Sequence, residues 1–169
     1  MSYVNHFKHA DDVVNHLNSV VPTLSDPLLQ AKYVGFVAVA AVTVYELAIK
    51  NVFIEFGTKK HRVLGTFTES YFKRINGRIR VKVIKDNYIR RFGERYKKRF
   101  EKNLEKITKD YLQTNKRDIQ SSYENLITWR NDFAHEGKII STTATYSEVV
   151  QSYEDGKEII RCLAETMIR

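Results

Sequence analysis

The chain has 169 residues, 43% of them hydrophobic and 28% charged, with seven glycines, two prolines and one cysteine. Those proportions are ordinary for a globular protein and favour long helices over a many-turned β fold, while a lone cysteine excludes an internal disulfide framework and a Cys-rich zinc site. The net charge of +8 is unevenly placed: residues 58–109 hold 18 of the 28 Lys/Arg but only 5 of the 20 Asp/Glu, which leaves the rest of the chain acidic.

Met1 to His6 lacks the basic head and apolar segment of a secretory signal, so a cytoplasmic protein is expected. Val13, Val14, Leu17 and Val21 recur at helical spacing and predict a first helix over Tyr3 to Val20. Ser25 or Asp26 can cap a second helix with Pro27 in its first turn, running to Phe56 and stopped by Gly57. Its greasiest run, Tyr33 to Tyr45, is 13 residues long. A bilayer span needs about 20, so the run is expected to be a buried core helix and not a membrane anchor. Phe67 to Ile75 reads as a short helix with Thr66 as its cap, Asn76-Gly77 as a turn, and Arg78 to Ile84 ("RIRVKVI") as a short alternating strand.

Phe92, Tyr96, Phe100, Leu104, Ile107 and Tyr111 then recur three or four residues apart as one helical stripe, expected to pack in the core. A further helix is predicted over Arg117 to His135, and a last one from a capping box at Thr145 and Glu148 to about Met167. Cys162 falls among Ile159, Ile160 and Leu163 and reads as a buried, inert thiol. The expectation is therefore one all-α domain, residues 1–169: a bundle of about five helices with a basic, partly irregular insertion at 58–109. That basic middle points to a polyanionic partner, nucleic acid or an acidic membrane surface, with a solvated charged face as the plain alternative.

The stretch Trp129 to Gly137, "WRNDFAHEG", carries the most chemistry. Arg130 offers a planar fork of donors for phosphate oxygens, and His135 is the side chain type that moves protons near neutral pH. They lie five residues apart, about 140° around an ideal helix, whereas Asn131 and His135 share a face. With no metal-ligand spacing and no glycine-rich phosphate loop elsewhere, this set suits cleavage of RNA by its own 2′-hydroxyl, without metal or other cofactor. A histidine favoured by the helix dipole and an ordinary helical arginine are the plain alternative. Glu46, inside the greasy helix, needs a partner: Lys50 at i+4, or else Arg130 or a neighbouring subunit.

Arg130-Asn131-Asp132-Phe133-Ala134-His135 resembles the HEPN motif of arginine, a polar residue, a few others and histidine. The chain is also similar to that superfamily in its long early helix carrying "VYELAIKN" (Val44 to Asn51), its motif helix and its capped final helix; it looks closest to the bacterial RiboL-PSP-type branch. The resemblance implies a metal-independent endoribonuclease whose site is shared by two subunits of a homodimer, in phage defence or as a toxin. It implies that His135 handles protons, Arg130 binds the phosphate and Asn131 orients the motif, with Glu46, Asp132 and Glu136 in support. Products would carry a 2′,3′-cyclic phosphate and a 5′-hydroxyl. Arg95, Lys97, Lys98, Arg99 and Lys102 are the expected RNA-binding cations. Some HEPN toxins have a tyrosine two positions after the histidine, where a partner nucleotidyltransferase modifies them; this chain has Gly137, so a neutralising antitoxin would need another mechanism. The alternative is a non-catalytic HEPN module that binds RNA or a partner protein through the basic region.

Overall fold

A computed structural model describes residues 2–136 and 144–168, excluding the side chains of His135 and Glu136. Among the described residues the chain is all-α: a 3₁₀ turn at Ser2–His6, then α1 (Phe7–Val20), α2 (Pro27–Lys60), α3 (Arg62–Phe72), α4 (Val81–Val83), α5 (Glu94–Asn115), α6 (Ile119–Glu136) and α7 (Tyr146–Met167). The expected count of five rises to seven because the basic region contributes α3 and the single turn α4.

The long helix α2 is the axis of the bundle. Asp26 caps it, accepting the Leu28 amide at 2.8 Å, and Pro27 sits where its missing N–H costs nothing. Helices α1, α3, α6 and α7 pack around it, which explains why its apolar residues run nearly all round. By length and composition α2 could cross a bilayer, yet Val37, Ala38, Ala41, Val44, Tyr45, Ala48, Ile49, Val52 and Phe53 are buried by the protein itself.

Two expectations fail on α2 and its successor. Gly57 does not end the helix, which continues to Lys60. Its role is proximity: a Cβ there would stand 2.3 Å from the Thr68 hydroxyl oxygen of α3, so the absent side chain lets the two helices touch. Helix α3 also starts earlier than Thr66, at Arg62, with the His61 ring nitrogen accepting the Val63 amide at 3.2 Å.

The predicted strand at Arg78 to Ile84 is absent. Residues 73–80 are irregular, and the chain then enters α4, a π-helical turn at Ile84–Tyr88 and a 3₁₀ turn at Ile89–Phe92. Among the described residues there is no strand to pair with, and side chains take over the hydrogen bonds that a ladder would have made. The Tyr123 hydroxyl donates to the Ile79 carbonyl at 2.7 Å, and Glu124 accepts the Val81 amide at 2.8 Å. The alternation is real but serves a different end: Ile79 and Ile84 are both fully buried.

The basic region is integral to the core. Phe53 of α2, Phe72 of α3 and Phe92 stack as near-parallel rings, with Phe53–Phe72 centroids 4.4 Å apart and Phe53–Phe92 centroids 5.6 Å apart. The α5 stripe follows as expected, with Phe100 and Leu104 buried and Tyr96, Ile107 and Tyr111 packed at the core's edge. Lys116 ends α5 in the left-handed conformation (φ 58°), and the Thr145–Glu148 capping box opens α7. Cys162 is buried, and burial pushes its thiol up to about 12, so it is inert as a nucleophile.

Candidate functional site

Helix α6 divides into two halves. Its first half turns Tyr123, Leu126 and Ile127 into the core. From Trp129 to Phe133 every residue is half-buried, so this end of the helix lies at the rim of the bundle. Phe133 rests against Gly35 of α2, where a Cβ would come within 2.2 Å of the ring, and meets Phe36 edge-on with centroids 5.8 Å apart. Phe36 is itself 54% exposed, as Leu29 (41%) and Leu47 (42%) are on the same helix.

Arg130 packs against the Asn76-Gly77 turn. Gly77 adopts φ +67°, and a Cβ on it would lie 2.8 Å from one terminal nitrogen of the guanidinium. The backbone angle favours glycine, and its missing side chain lets the guanidinium approach closely. The turn is itself pinned from α2, because one oxygen of Glu46 accepts the Gly77 amide at 2.7 Å while the other is bonded to Lys50 at 2.7 Å. Lys50 is thus its ion-pair partner, as the plainer reading had it, and Glu46 meets Arg130 only through the turn, with no bond between the two.

Helix α6 grips the same loop further along. Arg80 pairs with Glu124 at 2.6 Å and donates to the Thr128 hydroxyl at 3.2 Å, beside the Glu124 and Tyr123 bonds already described. The loop therefore closes over α6 within two turns of Arg130. One consequence is electrostatic: the Arg130 Nε is buried and has no hydrogen-bond partner. An unsatisfied buried N–H costs roughly 1–3 kcal/mol, so such a group calls for an explanation.

The other expected site residues fall as follows. Asn131 and Asp132 sit beside Arg130 on α6, both half-buried. His135 and Glu136 belong to the last turn of α6, but their side chains, like Gly137, lie outside the described residues. Arg95, Lys98, Arg99 and Lys102 line one open cavity of about 610 Å³ together with Lys60, Tyr96 and the end of α7. Lys97 does not join them; it turns to the opposite side and pairs with Asp86 at 3.0 Å. Among the described residues, no three His, Cys, Asp or Glu side chains gather as a metal would need.

Sequence reasoning missed Gly77 and Glu124 as parts of the site. The Asn-Gly dipeptide announced a turn, but nothing in the chain signals that the turn folds onto an arginine more than fifty residues later.

Comparison with known proteins gives one match. Searches of curated proteins and of solved structures found none. The RiboL-PSP-HEPN family model covers residues 5–169, taking in Glu46, the Gly77 turn and the Arg130–His135 motif. With nearly the whole chain matched, and an all-α bundle among the described residues, this protein belongs to the RiboL-PSP-HEPN family.

Proposed function

We propose that the protein is a metal-independent endoribonuclease acting as a homodimer. The observation that carries this reading is Arg130: its guanidinium packs against the Gly77 turn at the half-buried end of α6, leaving its terminal nitrogens as donors for a ligand. Such a group is suited to a phosphate oxygen and to the charge that builds on it as the phosphorane forms. In the reaction, the RNA 2′-oxygen attacks the adjacent phosphorus and the bond to the 5′-oxygen breaks, leaving a 2′,3′-cyclic phosphate and a 5′-hydroxyl. One proton must leave the nucleophile and one must reach the leaving group, and two copies of His135, one from each protomer, supply base and acid. Asn131 orients the motif, with Asp132 and Glu136 in support.

The need for two histidines makes the dimer part of the chemistry. The exposed residues Leu29, Phe36 and Leu47 of α2, with Phe133 joining Phe36, form the apolar face best placed for a second copy. We place the enzyme in the cytoplasm, in phage defence or as a toxin, with any neutralising partner acting otherwise than by modification of a tyrosine at position 137. The test is incubation of pure protein with RNA in EDTA. Cleavage with cyclic-phosphate ends, abolished by His135→Ala, is expected; intact RNA, or equal cutting by that variant, overturns the reading.

One observation favours a second reading, a module that binds RNA without cutting it. The Lys60, Arg95, Lys98, Arg99 and Lys102 cavity contains no carboxylate and suits a polyphosphate backbone. In that case reversing Arg95, Lys98 and Arg99 would abolish function while His135→Ala left it intact.

A further inference from the structure

A second cavity, of about 640 Å³, adjoins the Arg130 turn and differs in kind from the lysine-rich one. Tyr71, Arg74, Asn76, Arg78, Asn87 and Arg91 line it, and no carboxylate does. Its volume falls within the range of about 300–1,000 Å³ that small-ligand sites occupy. Asn76 and Arg78 are the two neighbours of Gly77, so this cavity and the Arg130 guanidinium share a single turn.

The wall is braced by its own contacts. The Arg91 guanidinium carbon lies 4.9 Å over the Tyr71 ring, and its Nε donates to the Asn87 carbonyl at 2.8 Å. That fixes a planar cation by stacking and by a hydrogen bond, and leaves both terminal amino groups unspent. Tyr88 locks the opposite wall by donating to the Arg78 carbonyl at 2.8 Å. Asn87 is exposed within the π-helical turn Ile84–Tyr88, a local backbone departure that often marks functional sites.

We propose that this cavity seats a nucleotide of the RNA immediately beside the scissile phosphate. The proposal rests on the ribonuclease reading above. Arg74, Arg78 and Arg91 provide three cations for phosphate oxygens, and the outer face of the Arg91 guanidinium is a platform for a base. Asn76 and Asn87 each present a donor and an acceptor to the base edge, which gives the site a means of preferring one base over another. The lysine-rich cavity has no side-chain amide and so cannot discriminate in this way. About 14 residues of α2 separate Lys60 from Glu46, roughly 21 Å along the helix axis, so the two basic cavities serve different parts of the RNA.

The test has two arms, both on the full chain. In the first, short single-stranded RNAs differing in one base are bound to the His135→Ala protein, alone and with Asn87→Ala, Arg91→Ala or Arg91→Lys added. Arg91→Ala should weaken binding of all the RNAs about tenfold, and Asn87→Ala should collapse the spread between bases. Arg91→Lys should keep most of the affinity but lose the base preference, because ammonium preserves charge without a stacking plane. In the second arm, cut sites are mapped for the wild type and for Asn87→Ala; the base preference next to the cut should broaden. Unchanged affinity in Arg91→Ala with an unchanged base spread in Asn87→Ala overturns the proposal. If wild-type protein fails to cut RNA, the ribonuclease reading falls and the binding arm alone decides whether the cavity takes a nucleotide.

Discussion

Helix α6 touches two buried polar centres, and they are built on opposite principles. Near its start, the carboxylate of Asp155 is fully enclosed and receives four donors: Arg117 at 2.7 Å, Ser122 at 2.8 Å, Tyr111 at 2.9 Å and Gln151 at 3.1 Å. Near its end, the Arg130 Nε–H is buried too and donates to nothing. Burial pushes the Asp155 carboxyl up, but the bonds from Arg117, Gln151, Ser122 and Tyr111 outweigh it and hold the group below the usual aspartate value. A centre with every valence met tells α5, α6 and α7 where to sit. A centre with a donor left unpaired gives the packing no such instruction.

The largest effect that would break this comparison is on catalysis. Arg130→Ala should lower kcat by about 100- to 1,000-fold, as expected for removal of one transition-state donor, and leave the melting temperature almost unchanged. A comparable loss of stability would move Arg130 into the structural class. The converse holds for Asp155→Ala, which strands Arg117 and three neutral hydrogen-bonding groups; denaturant titration should show a loss of about 3 kcal/mol.

Cradle variants should fall between. Gly77→Ala adds a methyl 2.8 Å from the Arg130 guanidinium at φ +67°, so it should cost about 1–2 kcal/mol and a further drop in kcat, with helical content retained. Glu46→Ala, which frees the Gly77 amide, should reproduce the kinetic loss more weakly. Steady-state kinetics beside circular dichroism on both variants measures how far the turn, as distinct from the fold, governs the arginine.

Smaller effects concern pH. A carboxyl depressed on folding stabilises the native state above its unfolded value of about 3.9, and that stability is lost as the pH falls through the lower folded value. Asp155→Asn should therefore flatten the acid limb of the stability curve below about pH 4. Tyr111 lies on the alkaline side: burial, and then its bond to Asp155, pushes its phenol from 10.0 up to about 12. Its contribution is complete below pH 10 and lost between 10 and 12, which denaturant titrations of Tyr111→Phe against wild type would reveal. Smallest of all, Lys97→Ala should leave RNA affinity unaltered because Lys97 is engaged by Asp86, whereas Lys98→Glu should reduce both affinity and its salt dependence.

Periodicity made the helices legible because each buries one face or, for α2, nearly all of them. The final capping box could be read residue by residue, since it is local: Thr145 and Glu148 satisfy each other's backbone groups within one turn. What stayed hidden was long-range. Gly57 looked like a stop and is a contact, because only the position of Thr68 distinguishes the two. Arg78 to Ile84 looked like a strand because its apolar alternation does not reveal that the loop pinned by side chains at residues 78–80 turns helical from Val81. Of the candidate site, Arg130 and Glu46 were visible as residue types and Asn76-Gly77 as a turn, but their meeting was not. The side chain of His135 lies outside the described residues, so its partnership with Arg130 awaits the kinetic test.

The order of the chain gives the Gly77 turn a temporal meaning. A ribosome releases Glu46 and Gly77 well before Arg130, and α6, which grips the loop through Tyr123 and Glu124, is completed only in the last quarter of synthesis. A prematurely terminated product that stops short of α6 holds the receptacle but neither the guanidinium nor the imidazole. On the ribonuclease reading proposed above, the nascent polypeptide would spare its own message until α6 has been made.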